Sequence, residues 1–180
     1  MLNKPRGVIT TASDEKGRKT IYALLPEDLT WVAPVGRLDK ASEGLLLVTN
    51  DFDWSARVQS PATHLDKTYH VQIGAAADDE LIQQLQQGLR ARDGELLRVK
   101  HASLLRSGTK NTWLTLVLDE GRNRHIRRMF EAMDIEVLRL VRVAIGPLPL
   151  GSLAKGSFRP LTASEKKMLD DAIAPADARL

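Results

Sequence analysis

Val35-Gly36-Arg37-Leu38-Asp39-Lys40-Ala41-Ser42-Glu43-Gly44-Leu45-Leu46-Leu47-Val48-Thr49-Asn50-Asp51 is the stretch around which the rest of the chain is organised. A tight Gly-Arg-Leu-Asp turn and a second Gly lead into the apolar run Leu45 to Val48, which stops at Asn50-Asp51. Such a short run, bounded by turn residues, predicts a buried strand. One carboxylate and one guanidinium, two residues apart, therefore sit at the mouth of a strand anchored in the core. Loops held by rigid strands are where chemistry is commonly mounted.

Working outward, Lys4-Pro5-Arg6-Gly7 marks a turn, with a strand expected over the β-branched Val8 to Thr11. A short helix is expected in Gly17 to Leu25, stopped by Pro26, and a strand over Trp31 to Val35. Residues 53 to 59 predict a helix with Trp54 and Val58 inward. Lys67 to Gly74 alternates, with Tyr69, Val71 and Ile73 on one side, and predicts a half-buried strand. Asp78 to Gln87 predicts a helix with acids in its first turn and Gly88 as its stop. Strands at about 95–105 and 112–119 form a hairpin with a basic tip, Arg106 to Asn111. A helix is expected to start at Gly121-Arg122-Asn123, since Ile126, Met129, Phe130 and Met133 fall on one face. A strand follows over Glu136 to Ala144, then a Gly/Pro-rich connector from Gly146 to Gly156. Thr162-Ala-Ser-Glu165 is a capping box opening a helix to about Ile173. The tail, 174–180, is expected to fray. Strands outnumber helices and short turns join them, which favours an α+β fold with a mixed, mostly antiparallel sheet flanked by helices.

Composition bounds the function. The chain has 180 residues, 43% apolar, with a net charge of +3 and no Cys. The absence of Cys removes disulfides, thiolate nucleophiles and Cys-ligated zinc, and fits a cytoplasmic protein. No apolar run approaches a membrane span, so no membrane partner is expected. No Gly-x-Gly-x-x-Gly or Gly-rich Lys-Ser/Thr loop is present, so dinucleotide and P-loop readings fall away. Charge is unevenly placed: between Glu120 and Arg142 lie six Arg and one His against four acids. Arg fits phosphate because its planar fork donates two hydrogen bonds at once.

Three residues stand out as carriers of chemistry. Asp39, on a turn fixed by the following strand, can act as nucleophile or base, or simply as a turn former or ion-pair partner. Tyr69 is either a core aromatic or a base-stacking platform beside the basic Lys67-Thr68; only 4% of the residues are aromatic. Arg127, at the edge of the helix's apolar stripe, can reach inward while Arg122, Arg124 and Arg128 point outward, on a solvated face or toward phosphates. A metal site built from Asp39, Glu43, Asp51 and Asp53 is the rival. Glu43 and Asp51 flank opposite ends of a strand, however, roughly 25 Å apart if it is straight. The four His are scattered without zinc spacing. No metal and no cofactor is expected.

Together these motifs resemble the RsuA-type family of bacterial pseudouridine synthases, which includes the RluB and RluE types. Gly36-Arg37-Leu38-Asp39 with Ser42 to Leu47 and Thr49-Asn50-Asp51 is similar to the family signature. Lys67-Thr68-Tyr69 resembles its second motif, Glu120 to Met129 its third, and Leu138 to Gly146 the segment after it. Lys4-Pro5-Arg6-Gly7 resembles the usual start of the catalytic domain, and the similarity runs from Asn3 to about Glu165. The resemblance implies a pseudouridine synthase catalytic fold over 1–173, with two lobes and a central cleft. It implies cofactor-free isomerisation of a uridine in structured RNA. Asp39 would be the nucleophile, attacking C1′ or C6 of a flipped nucleotide. Tyr69 would stack on the base and Arg127 would orient Asp39. Arg37 would fill the vacated space or bind phosphate, and Leu140 would form an apolar wall. Lys67, Arg122, Arg124 and Arg128 would contact RNA. Many members carry an N-terminal S4-type RNA-binding domain. This chain starts two residues before Asn-Lys-Pro, which fits either a short RluE-like architecture or a missing N-terminus. The expected substrate is ribosomal RNA, with 23S favoured over 16S, and the expected state is a monomer. A tRNA-directed synthase and a catalytically silent RNA-binding module are the alternatives.

Overall fold

A computed structural model describes residues 1–11, 17–108 and 110–174. The strands are β1 (Leu2–Lys4), β2 (Ala33–Val35), β3 (Glu43–Thr49), β4 (Lys67–Ile73), β5 (Leu89–Arg90), β6 (Leu96–Leu97), β7 (His101–Ser107), β8 (Thr112–Leu118), β9 (Val137–Ile145) and β10 (Leu148–Pro149). The α-helices are α1 (Phe52–Gln59), α2 (Asp79–Gln87), α3 (His125–Ala132) and α4 (Ala163–Ile173), and short 3₁₀ turns occupy Ile21–Leu24 and Pro61–Thr63. The pairs β1–β3, β2–β3, β4–β8, β5–β6, β7–β8 and β9–β10 are antiparallel, which bears out the α+β expectation. Among the described residues no helix is long and apolar enough to cross a membrane. The frayed tail expected over 174–180 lies, beyond Ala174, outside the described residues.

The chain divides into two compact units, Met1–Leu65 with Arg142–Leu180, and Asp66–Val141. In the first, β3 is buried on both faces, as an apolar run without alternation demands. Leu45 and Leu47 face Val35, Trp54, Val58, Leu169 and Ile173, while Leu46 lies opposite Leu2 of β1. Each fully buried Leu contributes about 1.5–3 kcal/mol. Helix α1 starts at Asp51, whose carboxylate accepts the Trp54 amide at 2.9 Å. The Trp54 indole donates to Asp170 of α4 at 2.7 Å. Helix α4 begins with the expected capping box, both reciprocal bonds being formed.

In the second unit, β4 and β7 flank β8. One face of these strands (Val71, Ile73, Leu114, Leu116, Leu118) packs against Leu81 and Leu85 of α2 and Ile126, Met129 and Phe130 of α3.

Three expectations fail. The strand expected over about 95–105 is split in two, β6 pairing with β5 in a separate two-stranded sheet and β7 pairing with β8. Val8 to Thr11 is not a strand: Ile9 makes an isolated bridge to Thr20, and the Thr10 hydroxyl turns to the Leu38 backbone instead. Helix α3 starts at His125 rather than at 121–123, because Arg124 adopts a left-handed backbone with φ of 48°. Elsewhere the ends shift by a few residues, as helix and strand ends do.

Candidate active site

The Asp39 turn is built from beneath by a buried cation. Lys4 has no exposed surface; its ammonium donates to the carbonyls of Pro5 at 3.2 Å, Asp39 at 3.0 Å and Ser42 at 2.8 Å. Burial pushes its pKa down to about 8, against the opposing attraction of Asp39 and Glu43. The Ser42 amide donates to the Asp39 carbonyl at 2.9 Å, closing the turn. On the entry side, the Thr10 hydroxyl donates to the Leu38 carbonyl at 2.8 Å and accepts the Leu38 amide at 3.3 Å. Leu38 is buried, which leaves its neighbours Arg37 exposed and Asp39 half-buried. Thus the Asp39 backbone is fixed from both sides while its side chain keeps access to solvent.

The exit from the turn is equally constrained. Glu43 is buried and paired with Lys155 at 2.5 Å. Gly44 has φ of +106°, and a Cβ there would overlap the backbone of Arg142. The buried Arg142 side chain donates through Nε to the Leu45 carbonyl at 2.8 Å. The rival metal constellation is dispersed, with Glu43 bonded to Lys155 and Asp51 capping α1. Among the described residues no group of three or more His, Cys, Asp or Glu could hold a metal ion. An apolar pocket of about 300 Å³ in this unit is lined by Leu25, Leu29, Val32, Leu47 and Trp54; neither Asp39 nor Arg37 lines it.

The other candidates lie in the second unit. Tyr69 on β4 is half-buried and opposite Leu116, on the face that packs against α2 and α3. Leu140 is buried in the same cluster. Arg127 is half-buried, and its Nη1 donates to the Val137 carbonyl at 3.4 Å. Tyr69, Leu140 and Arg127 are therefore mounted on one apolar core, as the helix periodicity implied for Arg127. Lys67 opens β4 and is half-buried.

Arg122, Arg124 and Arg128 are engaged by acids. Arg122 pairs with Glu95 at 2.6 Å and Glu120 at 2.9 Å. Arg128 bridges Asp93 and Glu95, both at 2.5 Å, and Arg124 pairs with Glu131 at 2.6 Å. Hydrogen bonds from Arg128 hold the Asp93 and Glu95 carboxyls below their ordinary pKa. Beneath them His125 is buried 3.7 Å from Glu120, and burial pushes its imidazole below the ordinary range. These contacts secure the left-handed entry to α3 that the sequence pattern does not show.

Comparisons with known proteins fit this arrangement. A family model described as RNA pseudouridylate synthase matches residues 1–132. The ribosomal large subunit pseudouridine synthase B of Bacillus subtilis (strain 168) is 39% identical over 170 residues, covering 94% of this chain and 70% of that protein. The ribosomal large subunit pseudouridine synthase E of Vibrio parahaemolyticus is 33% identical over 174 residues, covering 89% and 72%. A crystal structure of a pseudouridylate synthase aligns with a TM-score of 0.81 at 34% identity, covering 93% of this chain and 71% of that one.

Proposed function

The chain belongs to the RNA pseudouridylate synthase family, and from that premise we propose that it isomerises a uridine of large-subunit ribosomal RNA with Asp39 as nucleophile. The net chemistry is balanced without a co-reactant. The N1–C1′ bond breaks, the base turns over, a C5–C1′ bond forms, the C5 proton is lost and N1 gains one. Asp39 attacks at C1′ or C6 after the nucleotide has left its stack. Tyr69 stacks on the flipped base and aids loss of the C5 proton. Arg127 orients the carboxylate, Arg37 occupies the vacated space or meets a phosphate, and Leu140 is an apolar wall. The protein works as a monomer in the cytoplasm, where its RNA is assembled.

The observation that carries this reading is the Asp39 turn. Its backbone is bonded by Lys4 and Ser42 and flanked by the Thr10–Leu38 pair, with the side chain only half-buried. A turn held this way leaves the Asp39 backbone little freedom to lose on attack. Large-subunit RNA is favoured because the similar proteins from Bacillus subtilis and Vibrio parahaemolyticus are named for it. Asp39→Asn should abolish tritium release from 5-tritiated uridine in ribosomal RNA while leaving RNA binding intact. Retained activity would remove Asp39 as the nucleophile. Mapping pseudouridine in 23S, 16S and transfer RNA, from cells with and without the protein, separates the substrates.

A further inference from the structure

The sheet of the second unit has two faces of opposite character. Directly paired residues on antiparallel strands share a face, and one set is consumed by the core under α2 and α3. The other set pairs His70 with Thr115 and Gln72 with Trp113, and on the next strand Arg106 with Trp113. His70, Gln72, Trp113 and Thr115 are all half-buried rather than buried, although they sit on β4 and β8, which are paired on both edges. Neither hydrophobic cluster includes any of them.

The chemistry of this face is specific. The Arg139 guanidinium carbon lies 5.4 Å from the centre of the Trp113 ring, a cation–π stack. Arg106, exposed on the edge strand, adds a second cation. His70, Gln72 and Thr115 supply neutral hydrogen-bonding groups. Unpaired RNA is held by the combination found here: an open sheet, a planar group on which a base stacks, hydrogen-bonding side chains and cations for the backbone.

We propose that this face is a second RNA-contact surface, separate from the Asp39 turn, on which an unpaired stretch of the substrate RNA lies with a base on the Arg139–Trp113 stack and phosphate toward Arg106. It rests on the reading that RNA is the substrate. It also gives Trp113, half-buried under Arg139 and outside both apolar clusters, a role beyond packing.

The test uses the full chain, an oligouridine ten-mer and a ribosomal RNA fragment. Of the three indole N–H signals in the 15N-labelled protein, the Trp113 signal, assigned by Trp113→Phe, should shift on addition of the ten-mer while Trp54 stays in place. Arg139→Gln should weaken ten-mer binding about tenfold, the scale of one lost base stack. Arg106→Gln, at an exposed edge position, should lower the slope of log affinity against log salt by about 0.7, the value for one single-strand phosphate contact, and guards against a folding defect in the first variant. Asp39→Asn should bind as the wild type does. If both arginine variants bind RNA unchanged, or RNA moves only Trp31, the second surface is overturned while the substrate reading stands. If the wild type binds neither RNA and releases no tritium from ribosomal RNA, the substrate reading itself has failed.

Discussion

Replacing Lys4 with Met tests whether a buried cation holds the Asp39 turn in place. The substitution keeps the length of the side chain and removes three hydrogen bonds to carbonyls, those of Pro5, Asp39 and Ser42. Bonds from a charged donor are worth about 1.5–3 kcal/mol each, so the gross loss is on the order of 5–9 kcal/mol. The opposing term is the cost of burying an ammonium. Lowering its pKa from 10.5 to about 8 corresponds to roughly 3 kcal/mol at neutral pH. The net expectation is a loss of about 2–6 kcal/mol in urea unfolding at pH 7. The Ser42–Asp39 and Thr10–Leu38 bonds survive, so the turn loosens rather than collapses. We expect tritium release to fall about tenfold at 25 °C, since displacements near 1 Å cost up to a hundredfold.

A pH series separates this account from simple loss of packing. With its pKa lowered in the folded state, Lys4 holds fewer protons there than in the unfolded chain between about pH 8 and 10.5. Its contribution to stability is therefore fully present above 10.5 and lost as pH falls through 8. Wild type should gain stability relative to Lys4→Met across that window, and the gap should be flat below it. Equal stability of the two proteins at pH 7, or a gap that narrows from pH 8 to 10, would refute the reasoning.

Other expectations are more local. Gly44→Ala forces a side chain into φ of +106° and against the Arg142 backbone; strain of about 1–3 kcal/mol plus the overlap should lower Tm by about 10 °C or more in calorimetry. Glu165→Gln keeps the capping box but removes the charge facing Arg159. The Glu165 carboxyl is held at about 2 against its ordinary 4.5, so the wild-type advantage in Tm should be constant above pH 4.5 and vanish as pH falls through 2. Glu95→Gln removes an acid shared by Arg122 and Arg128; RNA affinity at low salt should rise and its salt dependence steepen, as measured by anisotropy. Unchanged affinity would mean these arginines do not face RNA.

Much of the fold was legible because local chemistry and tertiary structure agree. Thr162 and Glu165 cap α4 as their spacing implies, and Asp78 and Gly88 bound α2. The unalternating Leu45-Leu46-Leu47 run is buried on both faces. What stayed hidden depends on partners far along the chain. A lysine is ordinarily a surface residue, and nothing near Lys4 announces that carbonyls 35 and 38 residues away will surround it. Val8, Ile9 and Thr10 are buried as a strand would be, but the Thr10 hydroxyl serves the Leu38 backbone. The start of α3 was placed too early because Arg122 and Arg128 are tied to Glu95 and Asp93, which no helical periodicity can reveal.

That last misplacement changes where positive charge is available. Read along the chain, the six arginines from Arg122 to Arg142 look like a single basic strip. In the fold, Arg122, Arg124 and Arg128 face carboxylates at 2.5–2.9 Å, and Arg142 is buried against the Leu45 carbonyl. Phosphate would have to displace close, charge-assisted bonds to engage the first three, and exposed pairs of this kind weaken with salt. Arg139 lies over an aromatic ring, its guanidinium carbon 5.4 Å from the centre of Trp113. A guanidinium stacked on an indole keeps its full charge and one planar surface, which suits a base as well as a phosphate. The clustering of arginine in sequence therefore marks the start of α3, where the charge is largely internal. The face around Trp113, proposed above to contact RNA, is one that clustering alone would not select.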